Sequence, residues 1–390
     1  MIKLANKIYT HRIAIDALAT GGKSGVLSYF LKLCTYLPNL YPDIKFVVFL
    51  SDSLANEVGH VPANLELVIC PLEHKQKFGK FLYEQFFLPA ILYKYSIDLL
   101  YILSVTDVFL APCKTVVRVG NMLPYDDVSR ATHKDLRTRF RLAVLSIISK
   151  ITFRSANGVL VMSAAAAAIL KEKYPRVAHK LTGINRGVSL PELGSDEGLE
   201  AKVSSLPSEF ILVSSHLQEH KRLIEVLEAY ANLSFNEGKI PLVFIGSTAD
   251  TEFFNRLREH CARLGISDDV HFTGFVERNQ LREIYRRSVV TIFPSMTETC
   301  PVTLLEEMVS GCSLVVSDRS VMPGLCGDSV LYYEPLSSEE LTVQIQKYLD
   351  SPSLRLKMSQ AAIQRTEQLE VDWKRSFEKR MDYFFSIISR

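Results

Sequence analysis

The sequence predicts an α/β protein built as two Rossmann-like domains, each a parallel sheet flanked by helices. Three observations lead there. The chain has 390 residues, and single cores rarely grow past roughly 250–300 residues. Short apolar runs alternate with segments of helical spacing, and the alternation starts afresh in the second half. A polar stretch rich in Gly, Ser and Pro, Gly194–Ser208, separates the two halves.

In the first half, Arg12–Asp16 reads as a strand, Ala17–Gly25 as a glycine-containing loop and Val26–Leu37 as a helix. Phe46–Leu50 is a continuous apolar run, the pattern of a strand buried on both faces, and Leu65–Ile69 reads as a further strand. Phe81–Tyr95 has helical spacing. Asp98–Ile102, Thr115–Val119 and Gly158–Met162 follow as strands, and Ser163 caps an alanine-rich helix. In the second half, Phe210–Ser214, Pro241–Gly246, Val270–Thr273, Val289–Phe293, Ser313–Ser317 and Val330–Tyr333 read as strands. Between them lie helices Leu223–Leu233, Glu252–Leu264 (ended by Gly265) and Asn279–Arg287. Asp372–Ile388 is amphipathic. The boundaries place an N-terminal domain at 1–190 and a C-terminal domain at 206–371, with 372–390 packing back on the first. Ligands of such sheets bind beyond the carboxyl ends of the strands. The loops after Asp16, Val119, Ser214, Thr273 and Phe293 should therefore line a central cleft.

Composition narrows the function. A net charge of +2 makes no electrostatic case for nucleic acid. The seven cysteines form no CxxC pair, against a zinc ribbon or redox dithiol and in keeping with a reducing cytoplasm. Charged residues interrupt the N-terminus, so no signal peptide is expected, and no run of about 18 apolar residues suggests a membrane span.

The segment Pro294-Ser-Met-Thr-Glu298-Thr-Cys-Pro301-Val-Thr-Leu-Leu-Glu306-Glu-Met-Val-Ser-Gly311 carries the chemistry. Glu298 falls in a loop after an apolar strand, and Glu306 in the helix that loop opens. Pro301 suits the first helical position and Gly311 the position just past the end. Free amides and the dipole at such a helix start attract anions, and the acids can hold sugar hydroxyls. A phosphorylated sugar compound is the ligand this pattern suggests. Glu307 reads as a solvated helix residue.

These residues resemble the retaining GT-B glycosyltransferases of the large family-four group, especially those building bacterial surface polysaccharide. Phe272–Val276, Leu281–Ser288, Ile292–Ser295, Glu298–Gly311 and Cys326–Pro335 are similar to that family in order and spacing. The resemblance implies a GT-B fold and a nucleotide-diphosphate sugar donor. It implies that Glu306 holds the ribose, Glu298 the transferred sugar, and the amides of Val302, Thr303 and Leu304 the diphosphate. Lys221 would neutralise the leaving diphosphate. Gly22, in the glycine loop of the first domain, would approach the diphosphate closely, and Val276 would lie near the base. Three departures stand out. Ser215 and His216 occupy the place of a family arginine, which Arg222 would replace. Gly324 stands where a glutamate is common. Asn121 stands where many members have a histidine, able to donate a hydrogen bond to a sugar hydroxyl but not to carry a proton. No cofactor or metal is expected: there is no Asp-x-Asp motif, and Lys221 with helix dipoles can do the metal's work.

The resemblance thus implies a retaining glycosyltransferase acting on a glycan or lipid-linked acceptor in lipopolysaccharide, O-antigen or capsule assembly. The alternatives are a catalytically degenerate transferase that acts as a binding partner, or a sugar-nucleotide epimerase of the same architecture. Residues 130–154 carry seven Lys/Arg against one acid, Asp135, interleaved with Leu136, Phe140, Val144, Leu145, Ile147 and Ile148. This is either a core-packed helix with a basic face or a helix lying on an anionic membrane surface. The second reading would place a cytoplasmic protein on the inner face of the cytoplasmic membrane.

Overall fold

The computed structural model describes residues 9–21, 25–72, 77–132, 135–189, 201–236, 238–248 and 250–390. The chain divides into two compact units. One comprises Met1–Tyr125, Phe140–Asn185 and Lys374–Arg390, the other Asp126–Arg139 and Arg186–Trp373. The class is α/β, with one Rossmann-like parallel sheet in each unit.

The first sheet contains β1 (His11–Asp16), β2 (Ile44–Ser51), β3 (Leu65–Cys70), β4 (Leu99–Ile102), β5 (Lys114–Val119), β6 (Gly158–Val161) and β7 (Leu181–Gly183). Their spatial order is β3-β2-β1-β4-β5-β6-β7, and the pairings are parallel. The central strands are buried along most of their length, which is why Phe46–Leu50 reads as an unbroken apolar run. Ala14, Val47, Phe49, Leu100, Ile102 and Val117 form one side's core. The terminal helix Trp373–Ile388 contributes Phe384, whose ring centre lies 5.0 Å from that of Tyr101. Arg380 of the same helix is fully buried, with its guanidinium over the Tyr29 and Phe377 rings.

The second sheet contains β8 (Phe210–Ser214), β9 (Leu242–Ile245), β10 (Val270–Gly274), β11 (Ser288–Phe293), β12 (Leu314–Ser317) and β13 (Leu331–Tyr333), in the order β10-β9-β8-β11-β12-β13. It is again parallel. Both sheets reverse their winding once, between β1 and β4 and between β8 and β11. Such a reversal opens a crevice beyond the strand ends.

Local signals hold at several ends. Ser163 accepts a hydrogen bond from the Ala166 amide at 3.1 Å, and Gly265 ends its helix at φ +69°. Others differ. The expected helix Phe81–Tyr95 is two, Lys77–Phe86 and Leu88–Lys94. Pro89 has no amide hydrogen to continue the first helix and sits in the first turn of the second, where none is needed. The basic segment likewise forms two helices, Asp127–Thr132 and Leu136–Ser155. The helices Ser338–Asp350 and Pro352–Leu369 were not anticipated. Residues 194–200 of the expected linker lie outside the described residues, and Ala201–Ser204 is a short helix. Among the described residues no helix is long and apolar enough to cross a membrane.

Candidate active site

The loops beyond β8 and β11 bring the site together at the winding reversal of the second sheet. After β8 the chain runs through Ser215 and His216 to a turn of 3-10 helix, Glu219–Lys221. After β11 it runs through Pro294–Pro301 into the helix Val302–Val309. The two loops are tied by the Met296 amide donating to the His220 carbonyl at 3.1 Å. Lys221 Nζ then lies 2.5 Å from Glu298 Oε1. Ser295 Oγ donates to the same oxygen at 2.9 Å. Ser320, at φ +56°, meets the Glu298 backbone with its hydroxyl, 3.3 Å from the amide and 3.1 Å from the carbonyl oxygen.

These contacts set the charge on Glu298. Burial pushes its carboxyl pKa up, but the Lys221 ammonium, the Ser295 hydroxyl and His220 together outweigh burial and hold it below the usual range. With a side chain only 20% exposed, Glu298 is a preorganised acceptor, suited to hydroxyl groups and unsuited to carrying a proton at neutral pH. Lys221 also lies 5.7 Å from the centre of the Phe293 ring.

Glu306 sits one helical turn in from the start of Val302–Val309, with a side chain 5% exposed. Arg278, half-exposed in the short turn after β10, forms an ion pair with its Oε1 and donates to the Ser189 carbonyl at 3.0 Å. Burial raises the Glu306 pKa, while Arg278 and then Arg186 oppose the rise. Pro301 is the residue before the helix rather than its first position, with ψ 91°. The amides of Val302, Thr303 and Leu304 are the helix's opening donors, and the first backbone bond back to the cap comes from Leu305 to Pro301 at 3.1 Å. At the other end Gly311 has φ +76°. Its amide bonds to Met308 and that of Cys312 to Glu307, both at 3.0 Å, closing a Schellman motif.

Glu307 is not solvated. It is fully buried, and neither carboxylate oxygen has a hydrogen-bond partner. The helix packs against the helix Pro352–Leu369, and Leu304, Leu305, Glu306, Glu307 and Met308 are all buried. Burial, then the charge of Glu306, pushes the Glu307 pKa well above the usual range, with Lys221 opposing.

The remaining expected residues are placed as follows. Val276 is buried just after β10. Arg222 adopts φ +50° between the 3-10 turn and the helix Leu223–Ala231, and pairs with Glu225. It borders a cavity of about 260 Å³ that also takes in Glu219, Phe253 and Arg256. His216 Nδ1 lies 2.7 Å from Ser247 Oγ, and burial followed by Lys221 lowers its pKa. Gly246, at φ +145°, permits this: a Cβ there would lie 1.9 Å from the Ser215 carbonyl oxygen. Asn121 belongs to the other unit. It is exposed in the loop after β5, and its Oδ1 accepts from the Leu123 amide at 3.0 Å. Gly22 lies outside the described residues. Among the described residues no cluster of three or more His, Cys, Asp or Glu could hold a metal ion.

Sequence reasoning missed Arg278, Ser295 and Ser320. Arg278 lies between the family-like segments Phe272–Val276 and Leu281–Ser288, and nothing in its spacing to Glu306 reports a contact made across two loops.

Residues 196–365 match the family described as glycosyl transferases group 1. The alpha-monoglucosyldiacylglycerol synthase of Streptococcus pneumoniae is 30% identical over 148 residues, covering 37% of this chain and 32% of the relative. The chain thus spans about a third of that relative's length. Among solved structures, Anabaena Alr3699/HepE in complex with UDP-glucose superposes with a TM-score of 0.69 at 16% identity, over 96% of this chain and 99% of that one. WaaG, a glycosyltransferase involved in lipopolysaccharide biosynthesis, superposes with a TM-score of 0.69 at 15% identity, over 95% and 99%. At these identities the likeness shows the fold, which is GT-B. The stretch that matches the glycosyl transferases group 1 family, residues 196–365, includes Lys221, Glu298 and Glu306.

Proposed function

We propose that the protein is a retaining glycosyltransferase that moves a sugar from a nucleotide-diphosphate sugar to a hydroxyl of a glycan or lipid-linked acceptor. The observation that carries this is the Lys221–Glu298 pair beside the opening amides of the Glu306 helix. A carboxylate held ionised accepts sugar hydroxyls. A cation 2.5 Å away can meet the oxygens of a departing diphosphate, where negative charge grows as the glycosidic bond breaks. The amides of Val302, Thr303 and Leu304 meet the same charge at the helix start. Glu306 keeps Oε2 for ribose hydroxyls while Oε1 holds Arg278. In the other unit, Asn121 would donate its amide to a sugar hydroxyl, and Gly22 would approach the diphosphate.

The matched relative's name specifies a glycolipid product, a matched fold holds UDP-glucose, and another serves lipopolysaccharide assembly. These support a nucleotide-sugar donor and an acceptor in surface-glycan or glycolipid assembly, such as lipopolysaccharide, O-antigen or capsule. The 1–190 region would bind the acceptor and 206–371 the donor.

The test is transfer by the pure protein with a panel of UDP-, GDP- and dTDP-sugars and a lipid-extract acceptor, with the product's anomeric configuration read by NMR. Retained configuration is expected. An inverted product would overturn the mechanism. Nucleotide binding without turnover on any donor would overturn the transferase reading in favour of a binding partner.

A further inference from the structure

Two guanidinium groups are buried in the first unit with no acid beside them. Arg118, the penultimate residue of β5, is 7% exposed, and Arg380 of the terminal helix is fully buried. Arg118 Nε donates to the Leu103 carbonyl at 3.3 Å. Arg380 donates from Nη1 to the Ser376 carbonyl at 2.6 Å and from Nη2 to the Ile184 carbonyl at 3.4 Å. Both guanidinium centres lie 5.5 Å from the centre of the Tyr29 ring. Among the described residues neither group forms an ion pair, and Arg118 Nη1 and Nη2 have no hydrogen-bond partner.

The neighbours do not neutralise this charge. Tyr29 and Tyr101 share a hydrogen bond of 3.0 Å between their hydroxyls. Burial, then Tyr29, pushes the Tyr101 pKa well above its ordinary value while the two arginines oppose, so Tyr101 stays neutral. Val116 is in register with Tyr101, and Arg118, two residues on, shares their face of the sheet. Asp16, the acid at the end of β1, is in register with Ile102 and therefore stands on the opposite face.

The unspent edge of Arg118 lies at the carboxyl ends of the strands, where ligands of such sheets bind. Leu103 follows β4, Gly120 follows β5, and Tyr29 lies near the start of the helix Gly25–Leu40. A Cβ at Gly120 would lie 2.6 Å from Arg118 Nη2 and 3.0 Å from Nη1. The backbone there has no positive φ, so the missing side chain serves to make room for the guanidinium. Gly120 and Asn121 above it are exposed. A buried cation without a counter-charge is costly. One with both terminal nitrogens unspent is shaped for two oxygens of a single anion.

We propose that Arg118 recognises an anionic oxygen group, a phosphate ester or a carboxylate, on the acceptor. This rests on the transferase reading, in which residues 1–190 bind the acceptor. The donor diphosphate already has Lys221 and the amides of Val302, Thr303 and Leu304 in the other unit, so the anion left for Arg118 is the acceptor's.

NMR of the full chain, titrated with methyl phosphate, acetate or neutral methyl glucoside, tests this. The Arg118 Nε signal, assigned by its loss in Arg118→Lys, should shift saturably with an anion and stay still with the glucoside. A response to methyl phosphate marks a phosphate ester on the acceptor, and a response to acetate marks a carboxylate. Arg118→Lys keeps the charge and loses the fork. It should raise the midpoint read from the Gly120 amide about tenfold. Gly120→Ala leaves Arg118 in place but pushes its guanidinium aside, and should raise the midpoint read from Arg118 Nε by about as much. Binding needs no turnover, so the anion can bind even where the transferase reading fails. Two outcomes overturn the proposal: an Arg118 signal indifferent to both anions, or displacement of the anion by UDP, GDP or dTDP, which would give Arg118 to the donor.

Discussion

The two sheets share one winding, yet the ends of their strands carry opposite chemistry. At the reversal of the second sheet, Lys221 and Glu298 form a charged pair with a serine hydroxyl beside it. At the reversal of the first, Asp16 ends β1 with Oδ1 on the Leu18 amide and Oδ2 buried without a partner. Its neighbour is Glu84, whose pKa is driven up by burial and then by Asp16, while Lys80 at 3.2 Å opposes. A doubly wound topology provides a crevice in both units. What the crevice can hold is decided by the loops. A compensated ion pair keeps a carboxylate charged and available, whereas burial beside a second acid favours the neutral form of Glu84.

The largest effect that would test this contrast is at Lys221. Lys221→Ala should lower kcat by about 10²–10³-fold, the usual loss of an electrostatic donor at a leaving group. Glu84→Gln, at the matching place in the first unit, should leave donor hydrolysis without acceptor unchanged. Equal losses in the two variants would erase the distinction. Next, Glu306→Ala should weaken nucleotide binding about 10–100-fold by calorimetry, because it removes a charged acceptor and strands Arg278. Unchanged affinity would sink the ribose assignment.

Glu307 tests what burial without compensation does in the same helix. Its folded pKa lies above the unfolded one, so its contribution favours folding most at low pH. Stability should decline as pH rises past the ordinary carboxylate value near 4.3. Glu307→Met should raise stability at neutral pH by about 1–3 kcal/mol and flatten that decline. Urea melts across pH 4–8 would refute the buried neutral acid if both proteins show the same slope. The smallest effect is expected at Asn121. Asn121→Ala should reduce kcat/KM by about fivefold, since it removes one neutral hydrogen bond. A loss as large as that of Lys221→Ala would move the essential chemistry to the first unit.

Much of this was legible in the chain. Buried strands such as Phe46–Leu50 show as apolar runs and were legible along the chain, whereas the short strand Leu181–Gly183 was not, and Ser163, Gly265 and Gly311 marked helix ends through local backbone requirements. The pair Glu298 and Glu306 was legible because its spacing reflects one loop and one helix, both local. Pro89 was the missed local signal, a break inside a run whose apolar spacing continued across it. Glu307 and the Leu136–Ser155 helix were misread or left open for a shared reason. Periodicity reveals that a helix has two faces, but not which face meets the protein.

By itself the sequence determined the α/β class, the doubled alternation and the acids at the second domain's strand end. These follow from backbone geometry and short-range patterning, which act within a few residues. Only tertiary structure decided that Lys221 reaches Glu298 across 77 positions, that Arg278 holds Glu306, and that Glu307 is buried while Phe140 is not. Those outcomes depend on which loops the sheet order makes neighbours and on which faces other elements cover, and neither is encoded locally.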